Sequence, residues 1–359
     1  MPSKLTVSLV QCDTGINPDG IALFNLNEAT ASFVQGNPNL SVTYYENILD
    51  AQLNQNALTT YTNNSNPQNI IAKITNITGC SSLSTLSLYV NVTPSLSRTI
   101  ARCDVGENGF TPFDLNESNF TLVLGDRLDF YATMEDALLE QNKIINITNY
   151  TNVIPYNQVI YARVENNNNC LALHTVNLTV NRLPVIQGNT NGFVCKNLPN
   201  KYIIIDAGVS VGTTGQYNYI WYCNGNVIPY NNYFIEVNQA GKYTVDVSNN
   251  YGCTKTRTIE VIASSNATIA SIDVQDITTE NNTVTVNLTP DSVGVYEYSL
   301  GNASGPFQAS NTFENVPAGI YEVYVNDTRG CGMVSQKLAV LDAPKFFTPN
   351  GDGINDFWK

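Results

Sequence analysis

The cysteines are the residues of this chain whose type and spacing most clearly predict chemistry. Zinc sites are built from short C-x-x-C pairs, whereas these cysteines lie tens of residues apart, so the spacing predicts disulfides rather than a metal centre. Disulfides persist outside the reducing cytosol, which indicates an exported protein. The eight cysteines are Cys12, Cys80, Cys103, Cys170, Cys195, Cys223, Cys253 and Cys331.

Other residue types give little support for catalysis. A nucleophilic triad normally needs a histidine base, and the single histidine, His174, opens an alternating strand, where we expect a packed or solvent-facing role. Glu135, Asp136 and Glu140 are candidate paired carboxylates, but they share one short polar helix and are expected to form its solvated face. We predict that the protein is not an enzyme and has no catalytic residues.

An oxygen-rich segment near the C-terminus is a candidate calcium loop. Asn350, Asp352 and Asp356 could supply the oxygen ligands that calcium prefers. Counting from Asp352, however, Ile354 falls where the third loop position requires an oxygen. Asn-Gly and Asp-Gly steps favour tight turns, so we predict a turn with no metal or cofactor, and calcium is the alternative.

Composition restricts the class of protein. The chain has 359 residues, a net charge of -13 and a pI near 4.4, and such a field repels phosphate backbones, which excludes nucleic acid as a partner. Charged residues are only 13%, and the abundance of Asn, Thr, Val and Tyr favours strands and turns. No apolar run reaches the roughly 18 residues of a membrane span, and no apolar signal segment follows Met1. We therefore expect the export signal at the front to be missing and the chain to be the tail of a larger protein.

An internal repeat organises the first half of the chain. Cys12-Asp13 followed by Phe24-Asn-Leu recurs as Cys103-Asp104 followed by Phe113-Asp-Leu. The segments 45–56 and 131–142 also match at one constant offset. The repeat predicts two homologous modules, residues 5–94 and 95–182, each with a short helical insertion.

The spacing of cysteines within the repeat predicts their pairing. The second cysteine follows the first by 68 residues in one module and by 67 in the other. We therefore expect Cys12 to pair with Cys80 and Cys103 with Cys170, and closing each such loop would contribute about 4 kcal/mol through the unfolded state.

Residues 183–263 form a third predicted module. Strand patterns surround Trp221 and the turn Asn224-Gly225, and residues 241–247 alternate cleanly. The run Ala240-Gly-Lys-Tyr-Thr-Val245, followed by Gly252-Cys253, is similar to extracellular PKD-like repeats. The resemblance implies an Ig-like or PKD-like sandwich, in which we expect Cys195 to pair with Cys253.

Residues 264–342 form a fourth predicted module. The run Asn315-Val-Pro-Ala-Gly-Ile-Tyr, which leads to Asp327 and Gly330-Cys331, resembles the SprB repeat of surface adhesins from gliding flavobacteria. Cys331 then has no partner in its own module. Cys223 and Cys331 are either free or joined across modules.

Residues 343–359 resemble the start of the gliding-motility-associated C-terminal domain, the type B sorting signal of the Bacteroidetes type IX secretion system. The resemblance implies export by that machinery, attachment at the outer membrane, and an outer-membrane β-barrel of the PorP/SprF type as partner. Only the start of the sorting domain is present, so the signal is truncated. The matching residues are Phe347, Thr348, Pro349, Asn350, Gly351, Asp352, Gly353, Asn355, Asp356 and Trp358.

A short motif in the fourth module predicts a modification. Asp291-Ser292-Val293 matches the Asp-Ser/Thr-aliphatic acceptor of Bacteroidetes O-glycosylation. Ser292 is therefore a candidate sugar attachment site.

Together these features predict an all-β chain of tandem Ig-like or PKD-like β-sandwich modules in a rod. We interpret it as the extracellular, surface-attached C-terminal stalk of a gliding-motility-type adhesin. The alternatives are accessory modules of a secreted polysaccharide-degrading enzyme, or a carbohydrate-binding region that contacts a surface polysaccharide through exposed tyrosines. Strand packing explains most of the 20 tyrosines without a sugar.

Overall fold

The structure is a computed structural model that describes residues 6–13, 18–92, 95–276 and 282–341. The chain divides into two compact units, Met1–Leu183 and Pro184–Lys359, and each is described by itself. For the description we name four segments: module 1 is residues 6–92, module 2 is 95–182, module 3 is 184–264 and module 4 is 265–341.

The first unit consists of short and medium strands with three short α-helices. Its helices are α1 (Thr30–Val34), α2 (Ile48–Leu53) and α3 (Met134–Leu139). Its strands are β1 (Thr6–Cys12), β2 (Leu23–Asn25), β3 (Leu40–Tyr45), β4 (Thr60–Thr62), β5 (Gln68–Asn76), β6 (Ser81–Asn91), β7 (Ser97–Cys103), β8 (Pro112–Phe113), β9 (Arg127–Tyr131), β10 (Tyr150–Thr151), β11 (Asn157–Asn166) and β12 (Asn169–Asn181).

Both modules of this unit have the same topology. In module 1 the sheet order is β3-β5-β6-β1, and β1 runs parallel to β6 with Cys12 opposite Asn91. In module 2, β7 runs parallel to β12 with Cys103 opposite Asn181, and β11 and β9 continue the sheet. The two sheets join where Val10 of β1 pairs with Asn169 of β12. The first strand of module 1 is therefore also the strand that contacts module 2.

Alternating side chains build the core of each module. Along β5, Ile70, Ala72 and Ile74 point inward, and along β12 the buried residues are Val176 and Leu178. This period of two is expected where one face of a sheet is covered. In module 1 the cover is the antiparallel strand pair β2-β4 together with α1, and Phe24 of β2 and Phe33 of α1 lie in the same core. The modules are thus two-layered.

The matching segments of the repeat form the predicted helical insertions. The side chain of Asn47 accepts a hydrogen bond from Asp50 N at the start of α2, and Thr133 does the same for Asp136 N at the start of α3. Such N-caps satisfy backbone donors that a helix leaves unpaired. After each helix an asparagine side chain donates a hydrogen bond back to the aspartate of the first turn. In module 1, Asn56 Nδ2 donates to Asp50 Oδ1 at 3.0 Å.

The Cys-Asp step closes the loop after each first strand. Asp13 accepts from Gly20 N at 2.8 Å, and Asp104 accepts from Gly109 N at 3.0 Å. Both glycines have positive φ, the conformation that favours glycine. The aspartate is therefore a structural residue of the loop.

The second unit contains one sandwich in module 3 and another in module 4. In module 3 the order β13-β19-β18-β15-β16 faces the pair β14-β17; in module 4, β20-β21-β23 faces β22-β24-β25. The strands are β13 (Thr190–Cys195), β14 (Ile203–Asp206), β15 (Asn218–Cys223), β16 (Asn226–Ile228), β17 (Phe234–Val237), β18 (Gly241–Ser248), β19 (Thr254–Ser264), β20 (Ile269–Gln275), β21 (Thr283–Leu288), β22 (Tyr296–Leu300), β23 (Thr312–Phe313), β24 (Gly319–Asp327) and β25 (Met333–Val340).

Trp221 is the central core residue of module 3, as the sequence predicts. It is fully buried on β15, and its indole nitrogen donates to Asn232 O at 2.8 Å. Tyr243, Val245 and Val247 of β18 lie in the same core. The predicted all-β architecture of tandem Ig-like sandwiches, with helical insertions in the first two modules, is confirmed.

We expect Trp221→Ala to lower the free energy of unfolding of the second unit by about 3–5 kcal/mol, because it removes a large buried side chain and leaves a cavity. The matched control is Ile220→Ala, since Ile220 is the neighbouring residue and is 47% exposed; its cost should stay below about 1 kcal/mol. Denaturant unfolding of the full chain would measure both changes. Equal losses in the two variants would contradict the assigned core.

Candidate functional site

The disulfides connect different modules. Cys12 of module 1 is bonded to Cys170 of module 2, and Cys195 of module 3 is bonded to Cys331 of module 4, with a Cα–Cα distance of 5.3 Å in each case. Cys103 and Cys253 are also disulfide-bonded. Cys80 is an exposed free thiol, and Cys223 is free and half-buried.

The predicted pairings within modules are therefore wrong, namely Cys12–Cys80, Cys103–Cys170 and Cys195–Cys253. In modules 1, 2 and 3 the first cysteine ends the first strand, which runs parallel to the last strand. The cysteine that was expected to be its partner, which is Cys80, Cys170 or Cys253, lies at or just before the start of that last strand. In module 1, Cys12 is opposite Asn91, which follows Cys80 by eleven residues, or about 36 Å of strand. A disulfide needs Cα atoms within about 7 Å, so equal spacing along the sequence could not reveal the partner.

One cysteine in each of modules 1, 3 and 4 lies in the same kind of turn, between the last two strands: Cys80, Cys253 and Cys331. The Cys80 amide donates to Asn76 Oδ1 at 2.9 Å, and the Cys253 amide donates to Asn249 Oδ1 at 3.0 Å. In module 4 an aspartate replaces the asparagine, and the Cys331 amide donates to Asp327 Oδ2 at 3.0 Å. We call this feature the hairpin turn. It fixes the backbone of the cysteine whether or not the thiol is bonded.

Module 1 satisfies the end of helix α3 in module 2. Gln11 Nε2 donates to Leu138 O at 2.8 Å, and Asn25 Nδ2 donates to Leu139 O at 3.1 Å. The last carbonyls of a helix have no partner within the helix, and burying them without donors is costly. The junction therefore requires polar residues at these two positions of module 1.

An apolar cluster surrounds the Cys12–Cys170 bond. Cys12 and the partly buried Leu23 of module 1 pack against Leu138 and Leu173 of module 2. Tyr131 and Ala137 complete the buried group. The disulfide is thus enclosed in a small hydrophobic core between modules, which excludes water from both sulfur atoms.

Arg163 is the central charge of the same junction. It lies on β11 with 1% of its side chain exposed and donates to Gln11 Oε1 of module 1 and to Ala137 O. It also pairs with Glu140 at 2.9 Å and with Glu165. A buried guanidinium needs such partners, because an unpaired buried charge is strongly destabilising.

Three glutamates lie around Arg163, and their pKa values shift in different directions. Burial, followed by the charge of Glu140, raises the pKa of Glu28 to about 8. Burial and a hydrogen bond with Glu165 raise the pKa of Glu140 to about 7. The pKa of Glu165 is lowered, because the hydrogen bond from Glu140 and the charge of Arg163 outweigh its burial. Glu28 and Glu140 therefore hold protons in the folded protein, over the range between the ordinary glutamate pKa and these raised values, that they would release in the unfolded chain.

The junction of modules 3 and 4 also combines a disulfide with buried polar contacts. Asp327 is 1% exposed and accepts from the Ser264 hydroxyl at 3.0 Å as well as from the Cys331 amide. Asn197 Nδ2 donates to Cys331 O at 2.9 Å. The guanidinium of Arg329 lies 4.5 Å from the ring centre of Phe193, a favourable cation–π contact.

His174 has a structural position rather than that of a catalytic base. Its ring is buried and stacks on Phe120 with the ring centres 4.6 Å apart. Its Nδ1 accepts from Leu96 N at 3.1 Å, which anchors the start of module 2. Burial, with a contribution from Arg98, lowers the pKa of His174, so the neutral ring is favoured.

The other predicted site residues are not brought together. The sorting motif, residues 347–358, and the calcium candidates Asn350, Asp352 and Asp356 lie outside the described residues. Within the described ranges no group of His, Cys, Asp and Glu could hold a metal. Ser292 is half-buried, and its hydroxyl accepts from Thr268 N at 3.0 Å. Its glycosylation stays a prediction.

A groove on module 3 contains the exposed tyrosines that suggested sugar binding. The cavity of about 700 Å³ is lined by Tyr202 and Tyr230, both mostly exposed, and by Phe234 and Tyr243. The free Cys223 also lines it. Aromatic lining is compatible with a sugar. Contact with a polysaccharide stays a prediction.

Sequence reasoning missed the polar residues of the junctions. Gln11, Glu28 and Arg163 occupy ordinary positions of strands and loops, and no motif marks them. One signal was present: Arg163 matches Lys73 in the repeat, and Lys73 Nζ donates to Ala51 O as Arg163 donates to Ala137 O. A cation at the same strand position in both copies of the repeat points to a structural contact.

A known family matches the first two modules. Residues 8–94 and 99–184 each match the model of the Flavobacterium inter-domain disulphide bond domain. The description agrees with the Cys12–Cys170 bond, which joins the two matched segments. The match supports a flavobacterial origin for the chain. It shows neither a SprB repeat nor a sorting domain.

Solved structures of tandem immunoglobulin domains are similar to the chain only at low TM-scores. Sidekick-1 immunoglobulin domains 1–4 share 10% identity, with 95% of this chain and 97% of that chain covered and a TM-score of 0.29. The insect immune protein hemolin shares 8% identity over 93% of this chain and 97% of that chain, with a TM-score of 0.23. Such low similarity carries no argument about function. No curated protein matches the sequence.

The comparisons and the disulfides define a class of protein. It is a chain of tandem Ig-like β-sandwich modules in which disulfides join neighbouring modules. Stable disulfides indicate an extracellular protein. Among the described residues no helix is long and apolar enough to span a membrane.

We expect the stability of the first unit to fall as pH rises from about 4.5 to about 8. In this range the folded protein keeps protons on Glu28 and Glu140 that the unfolded chain releases near the ordinary glutamate pKa, so raising the pH favours unfolding. Glu28→Gln should reduce the difference in melting temperature between pH 5.5 and pH 8.5. Differential scanning calorimetry of the full chain measures it.

The control for this experiment is Glu135→Gln, because Glu135 lies exposed at the start of α3. It should leave the pH dependence as in the unchanged chain. The proposed protonation is wrong if Glu28→Gln and Glu135→Gln show the same dependence on pH.

Proposed function

We propose that this chain is a force-bearing stalk segment of an extracellular adhesin. The observation that carries the proposal is the joining of neighbouring modules by buried disulfides, Cys12–Cys170 and Cys195–Cys331. A covalent bond between two modules prevents the chain between its cysteines from extending, even when the sandwich structure is lost. This property suits a spacer that must keep its length under tension.

Noncovalent contacts support the same function. The Cys12–Cys170 bond lies within an apolar cluster, and the adjoining helix end is satisfied by Gln11 and Asn25 of the neighbouring module. Paired strands continue from one module into the next through Val10 and Asn169. These contacts restrict bending between modules 1 and 2.

The sequence resemblances supply the finer part of the proposal. The run 315–331 resembles the SprB repeat and residues 343–359 resemble the start of a type B sorting domain. On this basis we propose export by the type IX secretion system, attachment at the outer membrane, and a role in adhesion of the gliding type. The proposed partner is an outer-membrane β-barrel of the PorP/SprF type.

Single-molecule force spectroscopy of the full chain tests the stalk. In the oxidised protein the loops of 158 and 136 residues between the bonded cysteines should stay closed. Reduction should add about 1000 Å of extension, at ~3.3–3.6 Å per released residue. Cys12→Ser should lengthen the oxidised chain, whereas Cys223→Ser, which removes a free thiol, should not. Equal extension before and after reduction would rule out locked loops.

A pull-down from flavobacterial outer membranes tests the sorting proposal. The bait is the full chain extended after Lys359 by a complete type B sorting domain, and we expect it to retain a PorP/SprF-type β-barrel identified by mass spectrometry. The control bait ends at residue 342. Capture of the same β-barrel by both baits, or by neither, would contradict a role for the C-terminal segment.

A further inference from the structure

Cys80 is the second cysteine of module 1, and its equivalent in module 2 is Cys170. Cys170 is fully buried and bonded to Cys12, whereas Cys80 is an exposed free thiol. Cys80 lies in the same hairpin turn as the bonded Cys253 and Cys331, with its amide held by Asn76. Its backbone is therefore already in the conformation of a bonded cysteine.

The surface around Cys80 is the second, independent observation. Leu173 and Leu139 of module 2 are 7% and 8% exposed. Leu173 lies in the apolar cluster with Cys12 of module 1, and the backbone carbonyl of Leu139 accepts a hydrogen bond from Asn25 of module 1. By the offsets of the repeat their equivalents in module 1 are Leu83 and Leu53, which are 43% and 55% exposed. The same face is thus buried in one copy of the repeat and exposed in the other. We call the exposed copy the acceptor face; its residues are Leu53, Cys80 and Leu83.

We propose that the acceptor face binds a further module of the same kind, joined on the N-terminal side, and that Cys80 forms a disulfide with the cysteine that ends the first strand of that module. The direction follows from the observed bonds. Cys12 and Cys195 end first strands, and each bonds the cysteine at or just before the last strand of the module that follows it along the chain. A cysteine in the position of Cys80 therefore takes its partner from the preceding module.

The chemistry requires an oxidant. Two thiols, Cys80 and the incoming cysteine, lose two protons and two electrons as the S–S bond forms. The electrons pass to a thiol oxidase or to an existing disulfide by thiol–disulfide exchange, the same class of reactant that forms the other bonds of this exported chain. The bound module would also supply polar groups like Gln11 and Asn25 to the end of α2.

The experiment extends the full chain at its N-terminus by a second copy of residues 1–94. After oxidative refolding, free thiols are alkylated and the peptides are identified by mass spectrometry. We expect Cys80 of the original chain to be bonded to Cys12 of the added copy, and Cys80 of the added copy to be alkylated instead. In the control the added copy carries Cys12→Ser, and alkylation of the original Cys80 should return.

Two matched substitutions separate docking from chance oxidation. Leu53→Glu, in the acceptor face of the original chain, should reduce the yield of the Cys80 bond several-fold. Leu49→Glu should leave it unchanged, because its equivalent in module 2 is the exposed Glu135. Equal yields in the two variants, or dimers linked through Cys80 of two chains, would overturn the proposal.

A second measurement does not depend on folding of the added copy. The protein is isolated from the cell surface of its source in alkylating buffer, and the state of Cys80 is read by mass spectrometry. The proposal is supported if the peptide bonded to Cys80 comes from the end of a module's first strand and has an aspartate after its cysteine, as in Cys12-Asp13. An alkylated Cys80 overturns it. This measurement does not involve the sorting machinery, so the proposed Cys80 bond can be disproved while the stalk proposal stands.

Discussion

The rest of the structure depends on the parallel pairing of the first and last strands in modules 1, 2 and 3. Because the two strands run in the same direction, the cysteine that ends the first strand and the cysteine that begins the last strand lie at opposite ends of the module. Their Cα atoms are therefore too far apart for a disulfide, which needs them within about 7 Å. Cys12 is instead presented to module 2 and Cys195 to module 4, so these two bonds form between modules.

A disulfide of this kind stabilises only if the junction around it is well packed. At the first junction the apolar cluster around Cys12 and Cys170 excludes water, while Gln11 and Asn25 satisfy the end of α3. Arg163 adds a buried charge that is paired with Glu140 and Glu165 of module 2 and donates a hydrogen bond to Gln11 of module 1. The covalent bond and the noncovalent contacts therefore favour the same arrangement of the two modules. Hydrogen bonds and ion pairs with groups of both modules offset the cost of burying the polar side chains.

Much of the architecture could be predicted from local patterns. Alternating residues in β12 and β18, the position of Trp221 and the helical segments around Asp50 and Asp136 are visible in the sequence because strand and helix periods are local properties. The repeat at an offset of about 90 residues was visible for the same reason. Gln11, Glu28 and Arg163 were not recognised, because their role arises from residues more than 100 positions away.

The sequence by itself determined an all-β chain of repeated, disulfide-bearing sandwiches, since composition, alternation and cysteine content depend on each residue and its near neighbours. Only the tertiary structure decided which cysteines meet. Cys12 and Cys80 have a regular spacing that suggested a bond, yet strand direction separates them and brings Cys12 to Cys170, which is 158 residues away. The reason is geometric: a disulfide depends on the distance between Cα atoms in space, and spacing along the chain does not contain the direction in which strands pair.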